Sequence, residues 1–350
     1  MTSLELLDAY LARVDALNPA LNAIVVDDRE RARKAAKAAD RAVQAGKKLG
    51  PLHGVPMTVK EAFAIPGHPV TYGSPALADN VLDIDAVAVA RLRAAGAVIF
   101  GKTNVPIGLS DFQSYNAVYG TTNNPWDTSR GAGGSSGGSA AALAAGLTAL
   151  EFGSDIGGSI RNPAAYNGVY GHKPTWGIIP ERGHSIVAQP GAEGAISVVG
   201  PLARSAGDLA LALRVTAGPD LEFGYRLDLP APPTSVKGLR IAVWLREPEL
   251  GPVDEEVVAP IEAAAKALAQ AGAKVSFTAR PAFDPRAAHD TYMQILMAAM
   301  STGVPDFAAM VRRAERLDPD DRGPHAFNLR ASTARYRDVA LAQNAQARIR

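Results

Sequence analysis

The 350-residue sequence contains no cysteine. This absence excludes disulfides, thiolate nucleophiles and cysteine-ligated metal sites. An excess of charge is also lacking, since 36 Lys and Arg residues face 35 Asp and Glu residues and the net charge is +1. Such a balanced chain has no long-range attraction to nucleic acid or to anionic lipid. We therefore expect neither nucleic acid nor a membrane surface as a partner.

Long apolar runs and metal-type histidine spacings are absent as well. No uncharged apolar stretch is long enough to span a bilayer, and the start Met1-Thr-Ser-Leu-Glu5 lacks the basic and apolar regions of a signal peptide. The six histidines show no H-E-x-x-H or related spacing. These features predict a cytoplasmic globular protein without a metal ion or another cofactor.

Helical patterns open the chain. Thr2 and Glu5 form a capping-box pattern before leucines at helical spacing, which predicts a helix to about Leu17, ended by Asn18-Pro19. A charged, alanine-rich helix is predicted from Asp28 to Ala45, closed by Gly46. Its charges are interpreted as a solvated face.

Strand patterns follow, separated by helical stretches. Short apolar runs bounded by Gly and Pro predict strands at Val55 to Val59, Ala97 to Phe100, Thr148 to Phe152, Leu239 to Val243 and Lys274 to Phe277. Alternating strands and helices indicate an α/β fold with a largely parallel or mixed sheet covered on both faces. The proline-rich segment near 218–236 suits a lobe boundary within a single domain over 1–350.

Two segments of the sequence match familiar motifs. Gly96 to Thr103 fits the P-loop expression, but its middle is a strand-like apolar run and not an exposed phosphate-binding loop. Gly133-Gly-Ser-Ser-Gly137 fits the nucleophile elbow of an α/β-hydrolase esterase, although a polar loop with Pro125 stands where the elbow needs a strand. No downstream histidine lies in a recognisable setting. The esterase interpretation is kept as an alternative.

A different constellation combines a lysine with two serine motifs. Lys60 ends Gly54-Val-Pro-Met-Thr-Val-Lys60, Ser135 lies in a Gly/Ser-rich stretch, and Ser159 lies in Ser154-Asp-Ile-Gly-Gly-Ser159-Ile-Arg161. The sequence here resembles the amidase signature family, which has a Ser-cisSer-Lys triad in this order and the same 24-residue interval between its serines. The resemblance extends to further segments: Ser3 to Ala23, Leu52 to Glu61, Gly101 to Pro106, Asn124 to Asp127, Gly171 to Thr175 and Gly200 to Ser205.

The resemblance implies hydrolysis of linear carboxylic amides on an amidase-signature α/β/α architecture, with a mixed central sheet flanked by helices. It implies that Ser159 is the nucleophile, Lys60 the base, and Ser135, after a cis peptide bond, the relay between them. These roles are chemically consistent with one another. A serine hydroxyl needs a nearby base to become a nucleophile, and a lysine serves as that base only when burial or its neighbours keep it neutral.

The residues around Ser159 have predicted supporting roles. Glycines before it allow the backbone N–H groups of Ile156, Gly157, Gly158 and Ser159 to converge into an oxyanion hole. Ser154 and Asp155 are expected to support the network and the turn, and Arg161 to anchor the loop; Ser136 and Ser139 are expected to be structural. One departure is Glu61, where family members often carry Asp after the lysine.

The resemblance also bears on length, assembly and substrate. Family chains usually continue well beyond 350 residues, so we expect a truncated or unusually short form with an exposed sheet edge, for which a homodimer is a candidate assembly. A small-molecule amide is the expected substrate. The apolar residues Ile107, Leu109, Phe112 and Tyr115 and the loop from His184 to Glu193 fit either a substrate pocket or core packing.

An amidotransferase-type subunit of the same family remains an alternative. That subunit typically has acidic residues after the position of Asn104, for glutamine and ammonia handling, whereas Val105-Pro-Ile107 follows here. A stand-alone amidase is therefore preferred.

Overall fold

The computed structural model describes residues 1–188, 193–220, 227–304 and 306–349. The chain divides into two compact units, Met1–Asp228 and Leu229–Arg350. The division falls inside the proline-rich segment singled out in the sequence. The prediction of one domain over 1–350 stays a prediction.

The first unit contains most of the sheet structure. Its helices are α1 (Ser3–Leu21), α2 (Arg29–Gln44), α3 (Val87–Ala94), α4 (Gly137–Ala144), α5 (Arg161–Asn167) and α6 (Ala206–Thr216). Its strands are β1 (Ile24–Asp27), β2 (Pro56–Lys60), β3 (Val98–Thr103), β4 (Tyr115–Asn116), β5 (Gly120–Thr121), β6 (Glu151–Asp155), β7 (Tyr170–Gly171) and β8 (Val198–Ala203).

The second unit is mainly helical. It contains β9 (Arg240–Ala242), α7 (Glu255–Gln270), β10 (Lys274–Ser276), α8 (Pro285–Ser301), α9 (Phe307–Glu315), α10 (Pro324–Ser332) and α11 (Tyr336–Ile349). Strands β9 and β10 pair in parallel. Among the described residues of both units, no helix is long and apolar enough to cross a membrane.

Two three-stranded sheets lie beside each other in the first unit. In one, β3 is central, antiparallel to β1 and parallel to β2; in the other, β8 is central and antiparallel to β6 and β7. The sheets meet where the Ala149 N–H donates to Pro56 O and the Thr58 N–H donates to Thr148 Oγ1. The predicted α/β class with mixed strand directions is confirmed, and the mixed sheet consists of these two parts.

Helices cover both faces of these strands, as predicted. One apolar cluster joins α3 and α6 to β2, β3, β6 and β8, and includes Met57, Leu92, Phe152 and Val199. A second joins α1, α2 and α4 to the opposite side of β3, and includes Leu7, Leu11, Phe100 and Leu147. Burying such side chains removes apolar surface from water and fixes the strand ends that carry the site.

Three of the predicted boundaries were wrong, and the first is the end of β3, which was predicted at Phe100 but lies at Thr103. Helix α1 continues through Pro19 to Leu21, because a proline this near the helix end removes only one backbone hydrogen bond. The strand predicted at Thr148 to Phe152 is β6, which begins at Glu151 and continues through Gly153 and Ser154. Pairing with β8 stabilises that polar, glycine-containing stretch as a strand.

The Gly/Ser-rich stretch forms the tightly packed start of α4. Gly138 donates its N–H to Asn104 O over 3.2 Å. A Cβ at Gly138 would lie 2.3 Å from Asn104 N and 2.7 Å from Ala23 O, which are both backbone atoms. The helix can therefore approach the end of β3 only if residue 138 is glycine.

We expect Gly138→Ala to destabilise the protein by about 3 kcal/mol, because the added methyl group forces rigid backbones apart. Gly207→Ala is the matched control, since Gly207 is likewise the second residue of its helix, α6, and a Cβ there would have only the Ser205 hydroxyl nearby, at 3.7 Å. Urea unfolding of both variants measures the difference. Equal stability of the two variants would contradict the close approach.

Candidate active site

Lys60 ends β2 with its side chain completely buried. Its Nζ donates to Ser135 Oγ over 2.7 Å and to Ser154 Oγ over 2.9 Å. Within the described residues this lysine makes no salt bridge. Burial lowers the pKa of Lys60 to about 7, against the opposing effect of the Asp155 and Glu61 charges. A large fraction of the amine is therefore neutral at physiological pH, as a proton acceptor requires.

Ser135 lies between Lys60 and the segment that carries Ser159. The Gly134–Ser135 peptide bond is cis, which confirms the expectation from the resemblance. The N–H of Ser136 donates to Ser159 O over 3.1 Å, and the N–H of Gly134 donates to Asn162 Oδ1 over 3.2 Å. These bonds hold the two serine segments side by side. No strand directly precedes Ser135 in the described structure, so the context that a nucleophile elbow needs is missing.

Asp155 organises the turn that presents Ser159. Its buried carboxylate accepts hydrogen bonds from the N–H groups of Gly158 (2.9 Å) and Ile160 (3.1 Å). The Arg161 guanidinium donates to both carboxylate oxygens, over 3.0 and 2.9 Å. Burial raises the pKa of Asp155, but the Arg161 hydrogen bonds and charge and the N–H donors outweigh it and hold that pKa below its ordinary value. These contacts place Asp155 and Arg161 at the Ser159 turn, and their supporting roles stay predictions.

The expected oxyanion hole differs from the structure at Gly158. Because Gly158 donates its N–H to Asp155 Oδ1, that N–H already has a partner inside the turn. The N–H groups of Gly157 and Ser159 have no hydrogen bond within the described residues. Gly158 has φ +126°, a conformation that L side chains rarely adopt, which explains the glycine.

The structure therefore brings Lys60, Ser135 and Ser154 into direct contact. It ties Ser159 to them through the backbone. No hydrogen bond joins Ser159 Oγ to Ser135 Oγ in the part of the chain that the structure describes. Ser159 is 6% exposed and Ser135 1%, so Ser159 is the more accessible of the two serines.

Glu61 is a site residue whose contacts the sequence did not predict. Its buried carboxylate accepts from the N–H groups of Thr71 (2.6 Å) and Tyr72 (3.2 Å) and from the Tyr119 hydroxyl (3.3 Å). Within this loop, Tyr72 O in turn accepts a hydrogen bond from the Gly108 N–H over 2.7 Å. The only signal in the sequence was its position next to Lys60.

His184 was predicted only as the first residue of a candidate pocket loop, and its contacts with the site residues were missed. Its ring packs against Phe63, with centroids 5.0 Å apart, and lies near Tyr72 at 6.0 Å. Burial lowers the pKa of His184 to about 3, and the charge of nearby Lys60 acts in the same direction. The imidazole is thus neutral beside the lysine, and its buried Nε2 has no hydrogen-bond partner among the described residues. Nothing in the local sequence distinguished it from the other histidines.

The apolar residues named as pocket candidates lie mostly at the surface. Ile107, Phe112 and Tyr115 are 50%, 52% and 44% exposed, which excludes ordinary core packing for them. Ring carbons of Phe112 lie 3.4 and 3.7 Å from where a Cβ of residue 158 would stand, so this ring borders the Ser159 turn. Part of the predicted loop from His184 to Glu193, residues 189–192, lies outside the described residues.

The remaining motifs give no second site. Gly101, Lys102 and Thr103 of the P-loop pattern lie in the buried strand β3 and not in a loop. Among the described residues, no three His, Asp or Glu side chains are grouped as a metal site would require. The site residues predicted from the sequence all lie in the first unit.

Comparisons with known proteins identify relatives of this chain. The chain is 44% identical to an acylamidase of Rhodococcus erythropolis, over 78% of this chain and 57% of the relative. It is 39% identical to a glutamyl-tRNA(Gln) amidotransferase subunit from Acidothermus cellulolyticus, over 90% of this chain and 62% of that protein. The chain thus spans less than two thirds of either relative.

A solved structure agrees over the whole chain. The native peptide amidase of Stenotrophomonas maltophilia superposes with a TM-score of 0.78 at 31% identity, and the match covers 99% of this chain and 76% of that one. The family model described as Amidase matches residues 5–348. The protein therefore belongs to the amidase family, whose members are the amidase signature enzymes.

Proposed function

We propose that this protein hydrolyses carboxylic amides to a carboxylate and an amine or ammonia. The observation that carries the proposal is the buried Lys60 amine, 2.7 Å from Ser135 Oγ. A lysine with an acidic partner would keep its proton, whereas burial among hydroxyls favours the neutral base. The acylamidase and peptide amidase relatives support the same reaction class.

In the ammonium form Lys60 Nζ donates to Ser135 Oγ. In the proposed mechanism Lys60 is the neutral amine, which instead accepts from the Ser135 hydroxyl and donates an N–H to Ser154. Ser135 passes its proton to Lys60 and takes the proton of Ser159. Ser159 Oγ then attacks the amide carbon, and the N–H groups of Gly157 and Ser159 bind the oxygen that becomes negative, whereas the oxyanion role expected of Ile156 stays a prediction. Gly158 instead fixes the turn through its bond to Asp155.

The amide bond then breaks as the relay runs backwards. The proton returns from Lys60 through Ser135 to the leaving nitrogen, which departs as a neutral amine and leaves an acyl group on Ser159. Water gives one proton through Ser135 to Lys60 and attacks the acyl carbon. The bond from that carbon to Ser159 Oγ then breaks, Ser159 Oγ regains the proton through the same relay, and the carboxylic acid released ionises to the carboxylate. No electrons are transferred and no cofactor is needed.

The substrate is proposed to be a small amide with an apolar portion. The exposed Phe112 ring borders the Ser159 turn and offers an apolar surface there, and Ile107 and Tyr115 are exposed apolar residues close to it in the sequence. The alternative of an amidotransferase rests on the relatives of that name, but the buried Val105 and the exposed Ile107 offer no carboxylate for handling ammonia. Cytoplasmic location, homodimer formation and the absence of nucleic-acid and membrane partners stay predictions of the sequence.

Covalent labelling tests the proposal. We expect a fluorophosphonate to add one adduct to the wild-type protein, located by peptide mapping on Ser159, and we expect Ser159→Ala to remove it. Ser110→Ala is the control, since Ser110 is an exposed serine whose hydroxyl bonds only to its own turn. A chelator should leave the labelling rate unchanged.

The position of the adduct decides between the alternatives. An adduct on Ser135 would favour the elbow-type esterase and overturn the proposal. Hydrolysis of glutamine with no turnover of aryl or alkyl amides would favour the amidotransferase-type subunit.

A further inference from the structure

A second polar cluster lies beneath the site and is not used by the proposed mechanism. Glu151, the first residue of β6, is completely buried, and its Oε1 accepts a hydrogen bond from Thr58 Oγ1. Its Oε2 accepts from Thr103 Oγ1 over 3.4 Å, and Thr103 Oγ1 lies 2.8 Å from Ser139 Oγ. A buried carboxyl held by hydroxyls and the Phe152 N–H without a cation is unusual, because burial of a charge is costly unless it is paired.

The cluster joins the same segments that carry the site. Thr58 precedes Lys60 by two residues, so both side chains leave the same face of β2. Ser139 lies in the first turn of α4, just after Ser135, and Glu151 precedes Ser154 on β6 by three residues. Each segment that contributes to the Lys60 contacts is therefore also tied to Glu151 or to its hydroxyl partners.

The Glu151 carboxyl is largely uncharged in this buried cluster. Burial raises the pKa of Glu151 to about 8, against the opposing hydrogen bonds from Thr58 and Ser139, so the carboxyl is largely neutral at pH 7. The titratable residues on the strands packed around it are Lys60 on β2, Lys102 on β3 and Asp155 on β6 itself; α4 and β8 carry none. No salt bridge involves Glu151 within the described residues.

We propose that Glu151 is a positioning residue, which holds Lys60 against Ser135 by hydrogen-bonding β2, β3 and α4 together. This inference rests on the proposed amide hydrolysis. A neutral carboxyl can bridge the hydroxyls without placing an anion near Lys60. An anion there would raise the pKa of the lysine and make it a poorer base at neutral pH.

The first test compares Glu151→Gln with Glu151→Leu. The glutamine is neutral and retains hydrogen-bonding groups, so we expect fluorophosphonate labelling of Ser159 to stay within about threefold of wild type at pH 7. The leucine cannot bond to Thr58, so we expect labelling to slow by about tenfold or more. We also expect its pH midpoint to rise, because a displaced Lys60 gains water and regains a more ordinary pKa. A role limited to stability would leave that midpoint unmoved.

The second test detects the proton on Glu151 through the pH dependence of stability. The unfolded carboxyl has a pKa near 4.3, as estimated from model peptides, and the folded one is raised to about 8. The folded state therefore binds more protons between these values, and the stabilisation is fully present below the lower pKa and lost as pH rises to the upper one. We expect the Tm of the wild type minus that of Glu151→Gln to fall from pH 5 to pH 8 and then level off.

The labelling and Tm measurements distinguish failure of the proposed function from failure of the positioning role of Glu151. If the wild type takes no label on Ser159, the proposed function fails, while the Tm difference still reports the Glu151 proton. If it is labelled and Glu151→Leu reacts at the wild-type rate with an unmoved midpoint, the positioning role is wrong. If Glu151→Leu does not fold, Ser139→Ala replaces it, with slower labelling and a raised midpoint expected and wild-type behaviour overturning the proposal. Thr216→Val is the control, since this buried hydroxyl bonds to Ala212 O within α6.

Discussion

Replacement of Lys60 by Arg is expected to lower the rate of acylation of Ser159 by about 10³-fold at pH 8, the scale of general-base catalysis. A guanidinium keeps its proton at every accessible pH and cannot take one from Ser135. In the wild type the rate should rise with pH about a midpoint near 7, because burial lowers the pKa of Lys60 to about 7 and the neutral amine is the active form. Single-turnover acylation measured from pH 5 to 10 tests both expectations.

A second buried lysine is the control for this experiment. Lys102 is also completely buried, burial lowers its pKa to about 8, and its Nζ donates to Pro69 O. We expect Lys102→Met to keep the pH midpoint of acylation near 7 in protein whose folding is checked by circular dichroism. Wild-type acylation by Lys60→Arg would show that Lys60 is not the base, and a histidine-dependent mechanism would then be the better explanation.

The residues of the proposed triad could be identified from the sequence because each lies in a short local motif. Lys60 follows an apolar run, and the glycines around Ser135 and Ser159 fit backbones that must turn or pack closely. Such signals depend on neighbours in the chain, which a sequence displays directly. The roles of these residues remain proposals, whereas their juxtaposition is a property of the structure.

The environments of Glu151, Glu61 and His184 could not be predicted, because their partners are distant in the chain. Glu151 meets Thr58 across 93 residues, and a glutamate in an otherwise apolar run gives no sign of the hydroxyls that surround it. Glu61 and His184 acquire their environments in the same way, from loops brought together by the fold. Strand β8 was missed since Gly200 and Pro201 are typical of turns, although pairing with β6 and β7 stabilises them within a strand.

Two adjacent serines allow the proton relay to be tested with a matched pair. Ser135 and Ser136 are both buried, but only Ser135 Oγ accepts from Lys60 Nζ. The Ser136 hydroxyl instead lies 3.4 Å from both the backbone N and O of Ser154. We expect Ser135→Ala to slow acylation of Ser159 by about 10²- to 10⁴-fold, because the relay is lost. Ser136→Ala should slow it by less than about tenfold, the effect of one weak hydrogen bond.

The pH profile distinguishes a relay from a packing role. In Ser135→Ala a water molecule can carry the proton poorly, so the remaining slow acylation should still rise with pH as Lys60 loses its proton. If both alanine variants slow acylation equally, Ser135 contributes only to the packing of its loop. If Ser135→Ala reacts at the wild-type rate, Lys60 must act on Ser159 without it, and the 2.7 Å contact between Lys60 Nζ and Ser135 Oγ then only holds the lysine in place.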